Sequence, residues 1–243
     1  VGSGASFNLE RLITTRPDLV ILSPIGPDDP TMRRLDGAGI PYLVLADWRE
    51  QSPLGRAEWI KLFGALLGRE EKAHRTFEER SESYNALKSR SDTPASDKRP
   101  KVMVNAPWQG SWPVPAGESY MARLLEAAGA FYPWSESSGT GSLFLDLEAV
   151  LSKASDADFW FNLNFDWETP GDALATDERI ALFEPFRNGT MYHYNRRTRP
   201  SGANDFWESG ATRPDLVLAD LIRILHPEIL PDHELVYYKR LTE

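Results

Sequence analysis

Short apolar runs alternate with helical patterns at the start of the chain. The runs LVILS (Leu19–Ser23) and PYLVLA (Pro41–Ala46) are bounded by proline or glycine, which is typical of buried strands. Between them, Thr31–Ala38 has a helical pattern that ends at Gly39. A strand, a helix and a second strand in this order predict a parallel βαβ unit.

The same alternation starts again after residue 100. We expect strands at Lys101–Ala106, Asp158–Leu163, Thr190–Tyr194 and Leu235–Leu241, and helices at Tyr120–Ala128 and Arg213–Leu225. Stretches rich in glycine, proline or asparagine predict loops over 107–117, 131–142 and 196–210. The fold class is therefore α/β, with two Rossmann-like lobes.

Two helices are predicted between these regions. Leu54–Leu67 is amphipathic, and Arg69–Arg90 is highly charged with a thin apolar seam, as in a helix of about 33 Å lying on a protein surface. The polar stretch 91–100 is the best boundary between the lobes. We expect an N-terminal lobe over 1–68, a connecting backbone helix over 69–91 and a C-terminal lobe over 92–243.

One segment of the first region recurs in the second. An offset of 138 residues places Phe7 on Leu145, Leu9 on Leu147, Glu10 on Glu148, Leu12 on Val150, Ile13 on Leu151 and Asp18 on Asp156. In each copy an acidic residue opens a short helical run, and an apolar strand follows. The repeat predicts an equivalent helix–strand unit in each lobe, with Asn8 as a plausible N-cap of the first helix.

The amino-acid composition excludes several classes of function. The net charge of −9 argues against nucleic-acid binding, and the absence of cysteine excludes disulfides and thiolate chemistry. No apolar run approaches the length of a membrane span. The first residues, VGSGASFN, read like the middle of a protein, so a processed or trimmed N-terminus fits the sequence as well as a cytoplasmic one does.

Aromatic and basic residues follow the predicted strands. They are Trp48, Arg49, Trp108, Trp112, Trp167, Tyr194, Arg196, Arg197 and Arg199. Open α/β sheets bind ligands beyond the carboxyl ends of their strands. Aromatic faces and guanidinium groups suit a large, flat or anionic chelate. The alternative is that several of the tryptophans are core or interface residues.

The whole chain resembles the helical-backbone (class III) periplasmic substrate-binding proteins of ABC importers. The resemblance rests on NLERLITTRPDLVI (Asn8–Ile21), PLGRAEWIKLFGALLGREEKA (Pro53–Ala73), GESYMARLLEAAGA (Gly117–Ala130), LEAVL…DADFWF (Leu147–Phe161) and the segment Asn204–Leu241. It implies two lobes joined by one long helix. Only seven residues precede Asn8, so the N-terminal lobe is expected to lack one βαβ unit of that family.

The resemblance implies a small-molecule ligand and a permease partner. The ligand expected is a ferric siderophore, with haem or cobalamin as alternatives, and the protein itself needs no cofactor. Glu10 and Glu148 would dock into basic pockets of the two permease subunits; the alternative is that each merely complements a helix N-terminus. We expect a monomer that is periplasmic or tethered outside the membrane.

The sequence leaves two other kinds of function to consider. A directly bound metal ion needs several histidines, but only His193 neighbours the predicted cleft, so at most His193 or Tyr194 would ligate haem or chelated iron. The rival from another class is a cytoplasmic two-lobe α/β enzyme using Asp146 and Glu148 as a carboxylate pair. Nucleophile and phosphate-binding motifs are absent, so we expect no enzyme.

Overall fold

The structure is a computed structural model that describes residues 2–3, 6–23, 30–91 and 99–242. The chain divides into two compact units, Val1–Glu50 (the N-terminal unit) and Gln51–Glu243 (the C-terminal unit). Residues 51–68, which the sequence pattern assigns to the first lobe, thus group with the C-terminal unit. The predicted role of the long helix as a connector stays a prediction.

The N-terminal unit contains the predicted parallel βαβ unit. Its elements are β1 (Gly2–Ser3), β2 (Ser6–Phe7), α1 (Leu9–Thr15), β3 (Val20–Leu22), α2 (Pro30–Gly37), β4 (Tyr42–Val44) and a 3-10 helix (Asp47–Arg49). Strands β3 and β4 pair in parallel, with Val20 opposite Tyr42. Leu35 of α2 is fully buried, as the apolar face of a crossover helix requires.

The C-terminal unit holds the larger core. Its strands are β5 (Val102–Val104), β6 (Trp112–Pro115), β7 (Ser142–Leu145), β8 (Phe159–Phe161), β9 (Met191–His193) and β10 (Lys239–Arg240). Its helices are α3 (Pro53–Glu58), α4 (Ile60–Leu66), α5 (Glu70–Ser91), α6 (Tyr120–Ala127), α7 (Leu147–Ala154), α8 (Pro170–Thr176), a 3-10 helix (Glu178–Leu182), α9 (Glu184–Arg187), α10 (Asp205–Thr212) and α11 (Pro214–Leu225).

One four-stranded sheet organises this unit, in the order β10-β9-β8-β5. Strands β5, β8 and β9 are parallel, and the short edge strand β10 is antiparallel to β9. Trp160 and Phe161 of β8 are fully buried among apolar residues of β5, α6 and α11. A parallel sheet carries such continuous apolar strands because helices cover it.

The long charged helix is confirmed as α5, with 22 residues. It packs against α4 and α11. At the α4 crossing, a Cβ on Gly64 would lie 2.5 Å from the Ala73 Cβ, so only glycine permits this close approach. Among the described residues, no helix combines the length and apolar character needed to cross a bilayer.

The repeat is confirmed as two equivalent helix–strand units. Helices α1 and α7 begin at residues that the offset aligns, and each leads into a strand, β3 or β8. The N-caps also correspond: Asn8 accepts a hydrogen bond from the Arg11 amide at 2.9 Å, and Asp146 accepts one from the Ala149 amide at 2.7 Å. Each cap satisfies an amide that the first helical turn leaves unpaired.

Several predicted boundaries are wrong. The helix expected over Leu54–Leu67 is interrupted at Trp59, which the continuous apolar periodicity did not reveal. The loop predicted at 107–117 contains β6, which pairs with β7 as an antiparallel ribbon, and β7 begins at the last residue of the loop predicted at 131–142. Proline is confined to edge strands because it lacks an amide donor, and the WPVP sequence of β6 therefore read as a loop.

The C-terminal part of the chain departs from prediction in two further places. Part of the loop predicted over 196–210 is α10, whose N-cap Asn204 accepts a hydrogen bond from the Phe206 amide at 3.0 Å. The strand expected over Leu235–Leu241 is reduced to β10.

Candidate ligand-binding edge

The carboxyl ends of β5, β8 and β9 lie side by side because these strands are parallel. Asn105 and Asn162 follow β5 and β8, and both adopt left-handed backbone conformations with φ of 62° and 57°. Asparagine tolerates this region better than most residues. Hydrogen bonds fix both side chains: Asn105 Nδ2 donates to the Pro113 carbonyl at 2.7 Å, and the Tyr238 hydroxyl donates to Asn162 Oδ1 at 3.0 Å. We call this rim the carboxyl edge.

Trp108 stands on a tight hairpin at the carboxyl edge. Its amide donates to the Ser111 carbonyl at 2.7 Å, and the Ser111 amide donates back at 3.1 Å. The two residues between them, Gln109 and Gly110, both have positive φ, as a two-residue type I′ turn requires. The Trp108 side chain is 61% exposed. A large aromatic face is therefore offered to solvent on a short, hydrogen-bonded support.

Four rings form an aromatic cluster beyond β8 and β9: Phe165, Tyr194, Phe206 and Trp207. The Tyr194 centroid lies 5.3 Å from that of Phe165 and 5.4 Å from that of Trp207, both nearly edge-on. Tyr194 and Phe206 are buried, whereas Phe165 and Trp207 are 56% and 49% exposed. Burial raises the pKa of Tyr194 well above its usual value, so the phenol stays protonated. The cluster presents two exposed rings on a buried base.

His193 lies beneath this cluster and is fully buried. Its Nε2 is 3.1 Å from the Asn164 carbonyl oxygen, so this nitrogen carries the proton in the neutral ring. Burial lowers the pKa of His193 to about 4, with a smaller effect from Lys239. Among the described residues, the buried atoms His193 Nδ1, Asn195 Oδ1 and Asn204 Nδ2 have no hydrogen-bond partner. Such atoms are uncommon and often mark functional sites.

The arginines of the loop after β9 differ in their pairing. Arg197 Nε lies 3.1 Å from Asp205 Oδ2, and Arg199 lies 3.7 Å from Glu208. Arg196 is exposed and, within the described part of the chain, its side chain makes no ion pair that would compete with an anion. Its amide donates to the Tyr237 carbonyl at 3.0 Å, which fixes the backbone beneath it.

Three residues predicted from sequence as ligand contacts are buried in this structure. Trp112 is fully buried, with its ring 5.3 Å from that of Trp160. Trp167 is 2% exposed, and its indole nitrogen donates to the Thr176 hydroxyl at 2.9 Å. Tyr194 forms the buried base of the aromatic cluster. Their large apolar area is already removed from water, so these side chains offer a ligand little surface.

Trp48 and Arg49 lie in the N-terminal unit, on the 3-10 helix that follows β4. Both are exposed, and the Arg49 guanidinium carbon lies 5.9 Å from the Trp48 ring centroid. This spacing is that of a cation–π contact. The prediction that both contact a ligand stays a prediction.

Sequence reasoning missed Phe165 and Trp207. Phe165 lies two residues beyond the predicted strand Asp158–Leu163, so its position alone signalled the carboxyl edge. Trp207 fell in a predicted loop, and only α10 places its ring against Tyr194.

A cavity of about 660 Å³ lies at the opposite, amino edge of the sheet. It is lined by Arg99, Pro100, Lys101, Asp156, Asp158, Phe159, Asn188 and Thr190. Within this lining, Lys101 pairs through its ammonium with Asp156 and through its amide with Asp158. The exposed rings lie at the carboxyl edge, which is therefore the candidate ligand site. No group of histidine, aspartate and glutamate within the described residues is suited to hold a bare metal ion.

The carboxylates at the two repeat helices have different surroundings. Glu10 and Glu148 are both exposed in the first turn of their helices, α1 and α7. Glu148 pairs with Arg179 at 2.5 Å. Asp146, the other member of the supposed enzymatic pair, caps α7. Asp146 and Glu148 open the same helix and each has a structural contact of its own, so their geometry does not support the rival α/β enzyme.

The sequence and the fold of this chain both resemble those of known proteins. A family model described as periplasmic binding protein matches residues 1–198. The chain belongs to the periplasmic binding protein family. Solved structures agree with the two-lobe fold of that family at low identity, so they support the fold alone. The family and these neighbours are solute-binding proteins rather than enzymes.

One relative by sequence and two solved structures of similar fold illustrate the likeness. This binding protein is 29% identical to an uncharacterized lipoprotein of Methanocaldococcus jannaschii, over 94% of its own length and 52% of the relative's. It thus spans about half the length of that relative. The periplasmic haem-binding protein RhuT of Roseiflexus matches with a TM-score of 0.70 and 18% identity, over 92% of this chain and 81% of RhuT. A possible iron-binding protein of Staphylococcus epidermidis matches with a TM-score of 0.68 and 16% identity, over 91% of this chain and 81% of that protein.

Proposed function

We propose that this binding protein is the substrate-binding component of an ABC importer and that it carries a metal chelate, a ferric siderophore. The observation that carries the proposal is the exposed aromatic surface of Trp108, Phe165 and Trp207 at the carboxyl edge, within a chain of this family. Open α/β sheets bind ligands at this edge.

The chemistry of the edge favours a large ligand with flat faces and acidic oxygens. Exposed indole and phenyl rings stack on flat organic surfaces, and Arg196 offers a guanidinium that pairs with carboxylate or hydroxamate oxygens. A bare cation is not favoured, because no suitable group of metal ligands occurs among the described residues. Such a ligand would bring its own metal, so the protein needs none.

Haem and cobalamin are the alternative ligands. Both are large and present apolar faces, and one of the structural neighbours is called a haem-binding protein. The full burial of His193 makes it a poor ligand for haem iron in this conformation, since its ring is not accessible. Haem would therefore be held through ring stacking and its propionates rather than by His193.

The proposed partner is a permease with two matching halves. Glu10 and Glu148 are exposed and equivalent in the repeat, and each opens a helix that an N-cap fixes. Two exposed carboxylates on rigid supports suit basic pockets on a protein partner. We place this binding protein outside the cytoplasmic membrane, held there by a lipid anchor, because curated relatives are named lipoproteins.

Ligand titration tests the proposal. The protein has eight tryptophans, so binding at the carboxyl edge should quench its fluorescence. Titrations with a ferric hydroxamate siderophore, a ferric catecholate siderophore, haem and cobalamin should give the tightest binding with one of the siderophores. Tighter binding of haem or cobalamin would replace the siderophore as ligand, and no quenching by any of the four contradicts a metal-chelate function.

Transport assays test the partner. Reversing both charges, Glu10→Lys with Glu148→Lys, should abolish ligand uptake while leaving ligand affinity unchanged. The control pair Glu78→Lys with Glu234→Lys makes the same change in net charge at exposed positions outside the two repeat helices. Uptake by the first variant equal to that of the control would show that these glutamates only stabilise their helices.

A further inference from the structure

Glu148 belongs to a three-residue chain of charges on the surface of the C-terminal unit. Its Oε1 lies 2.5 Å from Arg179 Nη1. Arg179 is itself held by Asp177: its Nε lies 3.0 Å from Oδ1, and its Nη2 lies 2.7 Å from Oδ2. We call Asp177, Arg179 and Glu148 the charge clamp.

The inner half of the charge clamp is fixed to the backbone. Asp177 Oδ1 also accepts a hydrogen bond from the Arg179 amide at 2.9 Å, and so caps the 3-10 helix Glu178–Leu182. The Arg179 hydrogen bonds lower the pKa of Asp177, and Asp177 raises the pKa of Arg179, so both stay charged at neutral pH. A guanidinium held by a bidentate carboxylate has little freedom to leave its position.

The clamp leaves Glu148 partly free. Arg179 contacts Oε1, and Oε2 has no hydrogen-bond partner among the described residues. Asp177 already balances the charge of Arg179, so the three residues together keep a net charge of −1. A cationic partner would therefore still be attracted to Glu148, although an arginine lies beside it.

We propose that Arg179 is a positioning residue for docking: it holds the Glu148 side chain so that its open oxygen meets a basic group of the permease. The proposal rests on the docking role of Glu148 proposed above. Glu10 has no comparable support, since no ion pair involves it within the described ranges. Within the described residues the two docking points thus differ: an ion pair orients the carboxylate of the C-terminal unit in advance, and none orients that of the N-terminal unit.

Orientation in advance makes docking tighter because less side-chain freedom is lost on binding. Replacing Arg179 by a neutral residue of similar shape should therefore weaken docking by about fivefold. Asp177→Asn should also weaken it, because Arg179 then loses its fixed position and leaves an unbalanced positive charge beside Glu148. Neither change should alter ligand affinity.

The experiment compares four variants in docking to the cognate permease–ATPase complex, reconstituted in nanodiscs. The variants are Arg179→Gln, Asp177→Asn, Glu148→Gln and the double variant Arg179→Gln with Glu148→Gln. Arg187→Gln is the matched control: it removes an exposed arginine of α9 that pairs with Glu184 instead. Equal thermal melting curves show that the fold is retained.

We expect Arg179→Gln to weaken docking in the wild-type background and to have no further effect once Glu148 is Gln. A docking defect that requires Glu148 indicates positioning. A defect caused by a general loss of positive charge would also appear in Arg187→Gln. Normal docking by Glu148→Gln overturns the docking role itself. Weaker docking by Glu148→Gln, with unchanged or tighter docking by Arg179→Gln, overturns only the positioning role.

Discussion

The Trp207 ring stands edge-on to the Tyr194 ring, with the ring centroids 5.4 Å apart and the planes at 82°. Tyr194 is buried, and Trp207 is 49% exposed. A buried tyrosine thus supports an indole whose free face points to solvent at the carboxyl edge. This contact links the residue after β9 to α10. It fixes the orientation of Trp207, which has the largest ring of the aromatic cluster.

Removing that ring should weaken ligand binding. Trp207→Ala deletes a stacking surface and should raise the dissociation constant of a bound siderophore about tenfold, measured by isothermal titration calorimetry. Phe144→Ala is the control, since Phe144 is 71% exposed on β7 and outside the aromatic cluster. Equal losses in both variants would contradict a specific role of Trp207.

Arg196 should contribute mainly to anionic ligands. Arg196→Gln is expected to weaken binding of a ferric siderophore with free acidic oxygens about tenfold at low salt, and less at high salt, where ionic attraction is screened. Binding of cobalamin should change little. Arg75→Gln is the control, because Arg75 is exposed and lies on α5 rather than in the loop after β9. Equal effects on siderophore and cobalamin would argue against direct pairing with an anion.

His193 should make stability depend on pH. Burial lowers the pKa of His193 to about 4 from 6.5, so between these values the unfolded chain binds more protons than the folded chain. Stability is therefore unaffected above pH 6.5 and falls as the pH drops towards 4, by about 3 kcal/mol at most. Urea unfolding across this range measures the loss.

A variant isolates this contribution from that of other groups. His193→Gln should show a smaller fall in unfolding free energy between pH 6.5 and 4 than the wild type does. His74→Gln, at an exposed position on α5, should keep the wild-type pH dependence. An NMR titration in which the His193 ring protonates near pH 6.5 would contradict the prediction directly.

Asp220 should be among the costliest polar residues to replace. It is fully buried on α11, and its carboxylate accepts hydrogen bonds from the amides of Val236, Tyr237 and Tyr238 at 2.7–3.0 Å. His233 Nε2 lies 2.7 Å from it. Asp220→Asn should lower the free energy of unfolding by about 2–4 kcal/mol, because an amide cannot accept all of these bonds.

Chemical unfolding measures this effect. Asp232→Asn, at an exposed position of the same C-terminal segment, is the control and should change stability by less than about 0.5 kcal/mol. A loss in Asp220→Asn no larger than in this control would show that the segment is held by apolar packing of Tyr237 and Tyr238 alone.

The sequence by itself determined the βαβ unit, the long helix α5, the internal repeat and the Asn8 cap of its first helix. These features depend on local patterns: the period of apolar residues, the N-cap residue Asn8, and the glycine or proline that ends each run. The family resemblance also follows from the sequence, because it rests on whole segments. The offset of the repeat, read from the sequence alone, aligns the first residue of α1 with the first residue of α7.

Only the tertiary structure decided which aromatic residues are available to a ligand. Trp108 and Trp112 lie in one short stretch, yet one is 61% exposed and the other is fully buried against Trp160. Their difference comes from the β6–β7 pairing and the hairpin at Gln109, which are contacts between distant or irregular segments. The same is true of Trp207 and of the pairing of Arg179 with Glu148, since burial and ion pairing depend on neighbours that a local pattern does not specify.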